Sequence, residues 1–254
     1  MRIGISGYGQ MGKLIHQICL ERGHLVPVII DPQPAGVPDG VNVLPSAKEL
    51  DKAVDAVIDF SLPAGILSNI ESYLEKGIPA VIGTTGWEAH HAEIGQKVTQ
   101  TGGTILHGSN FSVGANLFFL LTQKLAGLIN QFPQYDLLLH EFHHKRKQDS
   151  PSGTAITAAN LVVDALQRKT TIQTETLQRR IQPEEFHVTA SRGGEFPGLH
   201  MLLADSVEDT IELRHTARSR RGFALGAVLS AEWISGKTGF FSFQDFFSET
   251  LSRA

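Results

Sequence analysis

The sequence contains a single cysteine, Cys19, among 254 residues. One cysteine excludes an internal disulfide and a metal cluster held by several thiolates, and it is typical of a reducing compartment. No run of roughly 18 apolar residues occurs, so no transmembrane helix is predicted. The net charge is only −4, so no charge excess indicates a nucleic-acid or membrane partner. The first residues read as a strand entering a tight turn rather than as a signal peptide, which predicts a cytoplasmic protein.

Strand and helix patterns alternate through the first 110 residues. Almost fully apolar strands are predicted at residues 2–6, 25–30, 53–60, 79–82 and 104–107. The segments between several of them place apolar residues at helical spacing. Apolar strands that alternate with helices are typical of a parallel sheet covered on both faces. We therefore predict an α/β fold with a Rossmann-like, doubly wound parallel sheet.

The pattern changes after about residue 110, and no Gly/Ser/Pro linker marks the change. Helices are predicted at 116–129, 154–168 and 223–235, and strands at 136–143, 171–178, 185–191, 200–204 and 209–216. The later strands alternate apolar and polar residues more regularly, which predicts an α+β domain with a mixed or antiparallel sheet and one open face. We expect residues 1–110 and 222–254 to form a dinucleotide-binding domain. Residues 111–221 are expected to form a substrate-binding and oligomerisation domain.

A glycine pattern, G-x-G-x-x-G, follows the first predicted strand and opens the first predicted helix. The first glycine allows the turn, the second lets the backbone approach a pyrophosphate, and the third lets helix and strand pack closely. The helix N-terminus then offers N–H groups to the phosphates. The alternative is an ordinary tight turn. The candidate cofactor-binding residues of this loop are Gly7, Tyr8, Gly9, Gln10, Met11 and Gly12.

Asp31 ends the second predicted strand, about 20 residues after the glycine loop. A carboxylate there can accept hydrogen bonds from the adenosine ribose hydroxyls and would repel a 2′-phosphate. No lysine or arginine lies between Asp31 and Asn42. We therefore predict that NADH is preferred over NADPH, although a turn or helix-capping aspartate would give the same pattern.

Gly83-Thr84-Thr85-Gly86 ends the fourth predicted strand. Ligands of open α/β sheets bind beyond the carboxyl ends of the strands, so this loop is a candidate contact for the nicotinamide half of the cofactor. By its residues alone it is equally a plain turn.

Residues 141–154, EFHHKRKQDSPSGT, place two adjacent histidines and three cations next to a turn of small residues. Ser152, Gly153 and Thr154 open a helix, so an anion at this turn would meet hydroxyls, N–H groups and cations together. A metal site is disfavoured because adjacent residues of a strand face opposite sides and no third ligand is evident. A nucleic-acid or nuclear-targeting run is disfavoured because the cation triplet is short and the protein is acidic. We predict a site for a small acidic substrate that receives a proton, with Ser152 among the substrate-binding residues and without a metal.

The same stretch, extended to Ala155, closely resembles the signature of the dihydrodipicolinate (4-hydroxy-tetrahydrodipicolinate) reductase family. The resemblance covers nearly the whole chain. One departure is that the loop after Asp31 lacks the basic residue that some members use for NADPH. Further segments stand in the family's order, namely residues 7–12, 59–61, 83–86, 109–114, 192–194 and 235–237.

The resemblance implies an oxidoreductase of the diaminopimelate route to lysine, which reduces a small cyclic dicarboxylate with NADH or NADPH. It implies a homotetramer joined through the second domains. It implies that His143 is the acid/base, that Lys147 donates a proton, and that substrate is contacted by His144, Gly153 and Thr154. The implied cofactor contacts are Gly7 to Gly12, Asp31, Gly83, Thr84, Thr85, Gly108, Ser109, Asn110 and Phe111.

Two other functions remain open at this point. Another two-domain NAD(P)-dependent dehydrogenase of amino-acid metabolism would share the glycine loop, but the histidine motif argues against it. A dinucleotide sensor without catalytic activity would not need to retain both His143 and Lys147.

Overall fold

The computed structural model describes residues 1–51 and 54–253. The chain divides into two compact units, which are Met1–Val113 with Arg220–Ala254 (unit 1) and Gly114–Ser219 (unit 2). Residues 53 and 254, at the edges of a predicted strand and of the predicted dinucleotide domain, lie outside the described residues. No helix of the described residues has the length and apolar character needed to cross a lipid bilayer.

The elements alternate through the first part of unit 1 and then change order. Unit 1 begins with β1 (Arg2–Ser6), α1 (Gln10–Glu21), β2 (Leu25–Ile30), β3 (Asn42–Leu44), β4 (Ala56–Asp59), α2 (Ile66–Lys76), β5 (Ala80–Ile82), α3 (His91–Thr101) and β6 (Thr104–His107). There follow α4 (Val113–Leu128), β7 (Asp136–His143), α5 (Gly153–Ala165), β8 (Thr171–Gln173), β9 (Glu185–Arg192), β10 (Leu199–Asp205) and β11 (Thr210–Thr216). Unit 1 resumes with α6 (Arg221–Trp233), β12 (Gly239–Ser242) and α7 (Phe243–Ser252).

The sheet of unit 1 has the strand order β12-β6-β5-β4-β1-β2-β3, and all its neighbouring strands are parallel. This confirms the predicted doubly wound parallel fold. The strands β1, β4 and β5 are almost completely buried, as expected when helices cover both faces. Two edge strands were not predicted. β3 has only three residues, two of them exposed, and β12 pairs with β6, which lies far away in the chain.

The sheet of unit 2 is mixed, with the order β11-β10-β7-β9-β8. β9 is parallel to β7 and β8, whereas β10 is antiparallel to β7 and β11. The predicted mixed sheet is therefore confirmed. The buried face of β7 packs into a core that also contains Phe118 of α4 and Val162 of α5. The predicted strand at 171–178 is wrong in its length, because β8 ends at Gln173 and the residues that follow are mostly exposed.

Helix α6 approaches the loop after β6 so closely that no side chain fits between them. A β-carbon on Gly226 would lie 1.7 Å from the carbonyl oxygen of Phe111. The carbonyl oxygen is part of the backbone and the added β-carbon is bonded directly to the backbone. Neither atom can therefore move aside by side-chain rotation. Gly226 therefore sets the position of a loop that the sequence assigns to cofactor binding.

We predict that Gly226→Ala destabilises the protein by about 1–3 kcal/mol, because the added methyl group overpacks a site closed by backbone. The matched control is Gly222→Ala in the same helix, where the new β-carbon would meet the Ser112 hydroxyl oxygen at 3.6 Å, an ordinary contact. Thermal unfolding of both variants should show a lowered midpoint only for Gly226→Ala. Equal midpoints would contradict the steric argument.

Candidate active site

The glycine loop of unit 1 connects β1 to α1 and has little room for side chains. Gly7 has a φ of +82°, and a β-carbon there would lie 2.6 Å from the Phe60 carbonyl oxygen. A β-carbon on Gly12 would lie 2.1 Å from the Gly7 carbonyl oxygen. Gly9, by contrast, has no atom of the described residues within 4 Å of its β position. The loop is thus compressed by the protein at its two ends and open in its middle.

The open middle of the loop leads directly into helix α1. Gly9 is the N-terminal cap of α1, and no side chain of the described residues caps it. A helix N-terminus without a capping side chain is suited to a phosphate group. The predicted glycine-loop residues are therefore brought together in an arrangement that fits a dinucleotide pyrophosphate.

Asp31, the predicted ribose-binding carboxylate, lies beside this loop. Its Oδ2 accepts a hydrogen bond from the Tyr8 backbone N–H at 2.7 Å, and its Oδ1 accepts one from Gln33 N–H at 2.9 Å. The structure also adds a cation that sequence spacing did not indicate. The ammonium nitrogen of Lys13, on α1, lies 3.5 Å from the position that a β-carbon on Gly36 would take. The loop after Asp31 thus has a neighbouring positive charge supplied from another element.

The loops after β4, β5 and β6 meet at the carboxyl edge of the same sheet. The Phe60 ring fills the space where a side chain on Gly83 would stand, since a β-carbon there would lie 2.1 Å from the ring. The rings of Phe60 and Phe111 are 5.7 Å apart, and the Thr84 hydroxyl donates to the Ser61 carbonyl oxygen at 2.8 Å. The predicted segments at 83–85 and 108–111 are therefore neighbours, although the chain separates them.

In unit 2, the buried face of β7 ends in Glu141 and His143, two residues apart and both buried. Glu141 has no exposed surface. Its carboxylate accepts hydrogen bonds from the Ser152 backbone N–H at 2.8 Å, from the Ser152 hydroxyl, and from the Arg192 guanidinium at 2.7 Å. His200 Nε2 lies 3.2 Å from the same carboxylate and His143 Nδ1 lies 3.4 Å from it.

These contacts determine the charge states of the buried pair. Burial by itself raises the pKa of Glu141, but the hydrogen bonds from His200, Ser152 and Arg192 outweigh burial and lower that pKa to about 2. Burial lowers the pKa of His143 to about 4, against the opposing effect of the Glu141 charge. At neutral pH, Glu141 is therefore a carboxylate and His143 a neutral imidazole.

The small-residue turn at the start of α5 holds a carboxylate of the chain itself. Lys147 Nζ pairs with Asp149 at 2.7 Å. The pKa of the Asp149 carboxyl is lowered, first by its hydrogen bond from Lys147 and also by the Gly153 backbone N–H. Ser152 caps α5 by accepting from the Ala155 N–H. A lysine thus binds a carboxylate next to the N-terminus of α5.

The remaining predicted residues of the turn are partly accessible. His144 is half-buried, and its backbone N–H donates to the Phe196 carbonyl oxygen at 2.8 Å. Thr154 is also half-buried at the start of α5. The turn and its flanking histidines therefore form one continuous segment between β7 and α5.

One group of side chains in the described residues has the spacing of metal ligands. Glu141, His143 and His200 offer ligand atoms within 4.8 Å of one another. The Arg192 guanidinium bound to the same carboxylate would repel a metal ion, and Ser152 already uses two of the carboxylate's acceptor positions. These three side chains are better described as a carboxylate, Glu141, surrounded by hydrogen-bond donors than as a metal site. The absence of a metal stays a prediction.

The sequence alone did not indicate Glu141, Arg192 or His200 as site residues. Arg192 is on β9 and His200 on β10, so only the sheet pairing places them beside β7. Glu141 opens the motif that the sequence singled out, but a glutamate in a strand normally faces solvent. The alternation of β7 was the available signal, because it puts Glu141 on the face of Leu137 and Leu139.

We predict that Glu141 stabilises unit 2 most strongly above pH 4.5 and that this contribution disappears as the pH falls towards 2. Its folded-state pKa is below its ordinary value, so protonation favours the unfolded chain. Glu141→Gln should lower the free energy of unfolding at pH 7 by on the order of 3 kcal/mol. The difference from the parent protein should shrink when urea unfolding is repeated down to pH 3.

The control is Glu184→Gln, at an exposed position, which should change the free energy of unfolding by less than about 0.5 kcal/mol. A difference between Glu141→Gln and the parent protein that does not depend on pH would contradict the charge assignment.

Two family models together match most of the chain. Residues 1–111 match the family model described as "Dihydrodipicolinate reductase, N-terminus", and residues 114–247 match "Dihydrodipicolinate reductase, C-terminus". The chain is 36% identical over 249 residues to a protein of Christiangramia forsetii named 4-hydroxy-tetrahydrodipicolinate reductase, with 98% of each chain covered. It is 33% identical to the protein of the same name from Archaeoglobus fulgidus, covering 97% of this chain and 99% of that one.

The fold is also similar to solved structures. The dipicolinate-bound dihydrodipicolinate reductase of Paenisporosarcina sp. TG-14 superposes with a TM-score of 0.77 at 19% identity, covering 95% of this chain and 97% of that one. A probable dehydrogenase of Thermotoga maritima superposes with a TM-score of 0.58 at 11% identity, covering 98% and 93% of the two chains. The matches at such low identity show the fold alone, whereas the two family models and the full-length relatives show that this chain belongs to the dihydrodipicolinate reductase family.

Proposed function

We propose that this protein reduces 4-hydroxy-tetrahydrodipicolinate to tetrahydrodipicolinate with NAD(P)H, in the diaminopimelate route to lysine. The substrate loses its hydroxyl group as water to give a conjugated cyclic imine with two carboxylates. Hydride then adds to a conjugated ring carbon, negative charge develops towards the ring nitrogen, and one proton quenches that charge. One NAD(P)H and one proton are consumed for each product and each water released.

The observation that carries this proposal is the carboxylate held at the start of α5. Lys147 binds Asp149 in the structure, just before the Gly153 N–H at the start of α5. The same cation and N–H can bind a carboxylate of the substrate once Asp149 moves aside. We assign Gly153, Thr154 and His144 to substrate binding. Ser152, which the sequence predicted as a substrate contact, is assigned instead to shape the turn, because its hydroxyl and its N–H both donate to Glu141.

The charge states favour Lys147 as the proton donor. His143 has a pKa of about 4, so at neutral pH its imidazole is uncharged and is a poor proton donor to the ring. Lys147 is a cation in the same segment, and an ammonium near the ring both stabilises the developing negative charge and supplies the proton. His143 is assigned as the neutral acid/base partner, which takes a proton from solvent and passes it to the Lys147 amine, so that the ammonium is restored.

The geometry of unit 1 supports dinucleotide binding by the predicted residues. The open position at Gly9 and the uncapped start of α1 fit the pyrophosphate, and the loops at 83–85 and 108–111 fit the nicotinamide half. NAD(P)H bound there supplies the hydride. Asp31 is assigned to accept hydrogen bonds from the ribose hydroxyls, which favours NADH, and Lys13 beside the following loop leaves NADPH usable.

We further propose a cytoplasmic homotetramer, without nucleic-acid or membrane partners. The face of the mixed sheet opposite α4 and α5 exposes apolar surface, since Leu138 is 37% exposed there and its strand partner Leu203 is half-buried beside it. Apolar surface of this kind is suited to pairing with a second copy.

The first test is consumption of NADH by purified protein supplied with freshly made substrate. Lys147→Ala should lower kcat by about 10²–10⁴, because it removes the proton donor, while the Kd for NADH stays the same. The control is Lys145→Ala, at an exposed position two residues away, which should keep normal turnover.

Three results would contradict the assignment. Unchanged kcat in Lys147→Ala would remove this lysine from the chemistry. Reduction of aspartate semialdehyde in place of the cyclic substrate would indicate another two-domain dehydrogenase. Cofactor binding with no turnover of any of these compounds would indicate a sensor.

We predict a higher kcat/KM with NADH than with NADPH, because Asp31 repels a 2′-phosphate. Asp31→Ala should lower the ratio of kcat/KM with NADH to kcat/KM with NADPH, and Lys13→Met should raise that ratio. Each change should be on the order of tenfold, as expected for a single charge at close range. Titration of NAD⁺ and NADP⁺ binding gives a readout independent of turnover. A strong preference for NADPH in the parent protein would refute the assignment to Asp31.

A further inference from the structure

We propose that Glu141 is a positioning residue of the active site, which holds the substrate turn in place through Ser152. This inference rests on the proposed function, because it concerns the same substrate site. It assigns a role to a side chain that contacts neither the exposed part of the turn nor the predicted proton donor.

The contacts of Glu141 join four segments of unit 2. The carboxylate extends from the end of β7 and bonds to Ser152 at the start of α5, to Arg192 at the end of β9 and to His200 on β10. Two of these segments carry residues assigned to the site, namely β7 with His143 and α5 with Gly153 and Thr154. A single buried group therefore connects the position of the turn to the position of the strand end that bears His143.

Ser152 is the step through which this connection reaches the turn. Its backbone N–H and hydroxyl both donate to Glu141, and its hydroxyl oxygen accepts from the Ala155 N–H. Ser152 is only 2% exposed, so no solvent molecule can replace these bonds without opening the core. The backbone position of the next two residues, Gly153 and Thr154, is therefore fixed by Ser152.

A negative charge behind an anion site would weaken that site if it were not neutralised. Arg192 provides the neutralisation, because its guanidinium donates to Glu141 and also to the Asp149 carbonyl oxygen, just before the turn. The pair thus orients the turn with little net charge. Replacing Glu141 by a neutral side chain removes acceptors and also leaves Arg192 without its counterion.

The experiment is a double-mutant cycle on the full-length, NADH-loaded protein with Glu141→Gln, Ser152→Ala and the combined variant. We expect Glu141→Gln to raise both KM for substrate and Kd for dipicolinate at least tenfold, with a smaller change in kcat and no change in the Kd for NADH. Ser152→Ala should change the same constants in the same direction. The combined variant should be no weaker than Glu141→Gln alone, because both substitutions interrupt one connection.

The matched control is Glu185→Gln in the same sheet. Glu185 is also largely buried, at 8% exposure, and pairs with Arg179 and the Gln182 N–H. It lies at the opposite end of β9 from Arg192. Its replacement tests the loss of a buried ion pair without disturbing the turn, so KM and the dipicolinate Kd should stay within twofold of the parent protein.

Several outcomes overturn the inference. Folded Glu141→Gln with dipicolinate affinity within twofold of the parent would do so, and so would additive effects in the cycle or an equal loss in Glu185→Gln. If Glu141→Gln does not fold, Ser152→Ala decides alone, and normal dipicolinate binding by that variant overturns the inference. Failure of the proposed function is distinguishable, since the parent protein would then bind dipicolinate without reducing the substrate.

Discussion

The arrangement of unit 2 depends on one buried carboxylate. An isolated charge in a protein interior is strongly unfavourable, and it is tolerated only when donors surround it. Glu141 meets this requirement with Ser152, Arg192 and His200, and its pKa of about 2 shows that the donors outweigh the penalty of burial. Such a group tolerates few arrangements, because the loss of any donor leaves a buried charge partly unsatisfied. Because Ser152 is one of the required donors, the turn at Ser152 has a defined position.

In unit 1, the loops at the carboxyl edge of the sheet are held in place by steric contacts instead. Side chains on Gly7, Gly12 and Gly83 would overlap neighbouring atoms, because the ends of the glycine loop and Phe60 are packed closely there. Asp59 supports this region, because its carboxylate has no exposure and accepts from the Ser61 N–H, Asn69 and Tyr73. The parallel sheet brings the loops to one edge, and close packing then keeps them there. A cofactor can approach where the structure leaves space, at Gly9.

Much of this organisation could be predicted from local pattern. Apolar strands alternating with helices indicate a parallel sheet because both faces must be covered, and the better alternation after residue 110 indicates a different sheet. The glycine loop and the histidine motif carry their chemistry within a few neighbouring residues, so they were visible in the sequence. β3 and β12 were missed because an edge strand buries little and because β12 depends on pairing with a distant strand.

The sequence by itself therefore determined the two fold classes, the glycine loop with Asp31, and the segment that contains His143, Lys147 and the small-residue turn. These features depend on residues that are close in the chain, where periodicity and spacing carry the information. Only the tertiary structure decided that Lys13 stands beside the loop after Asp31, and that Arg192 and His200 converge on Glu141. Sheet pairing and helix packing bring these groups together from distant parts of the chain, and no local pattern of residues records which distant partners will meet.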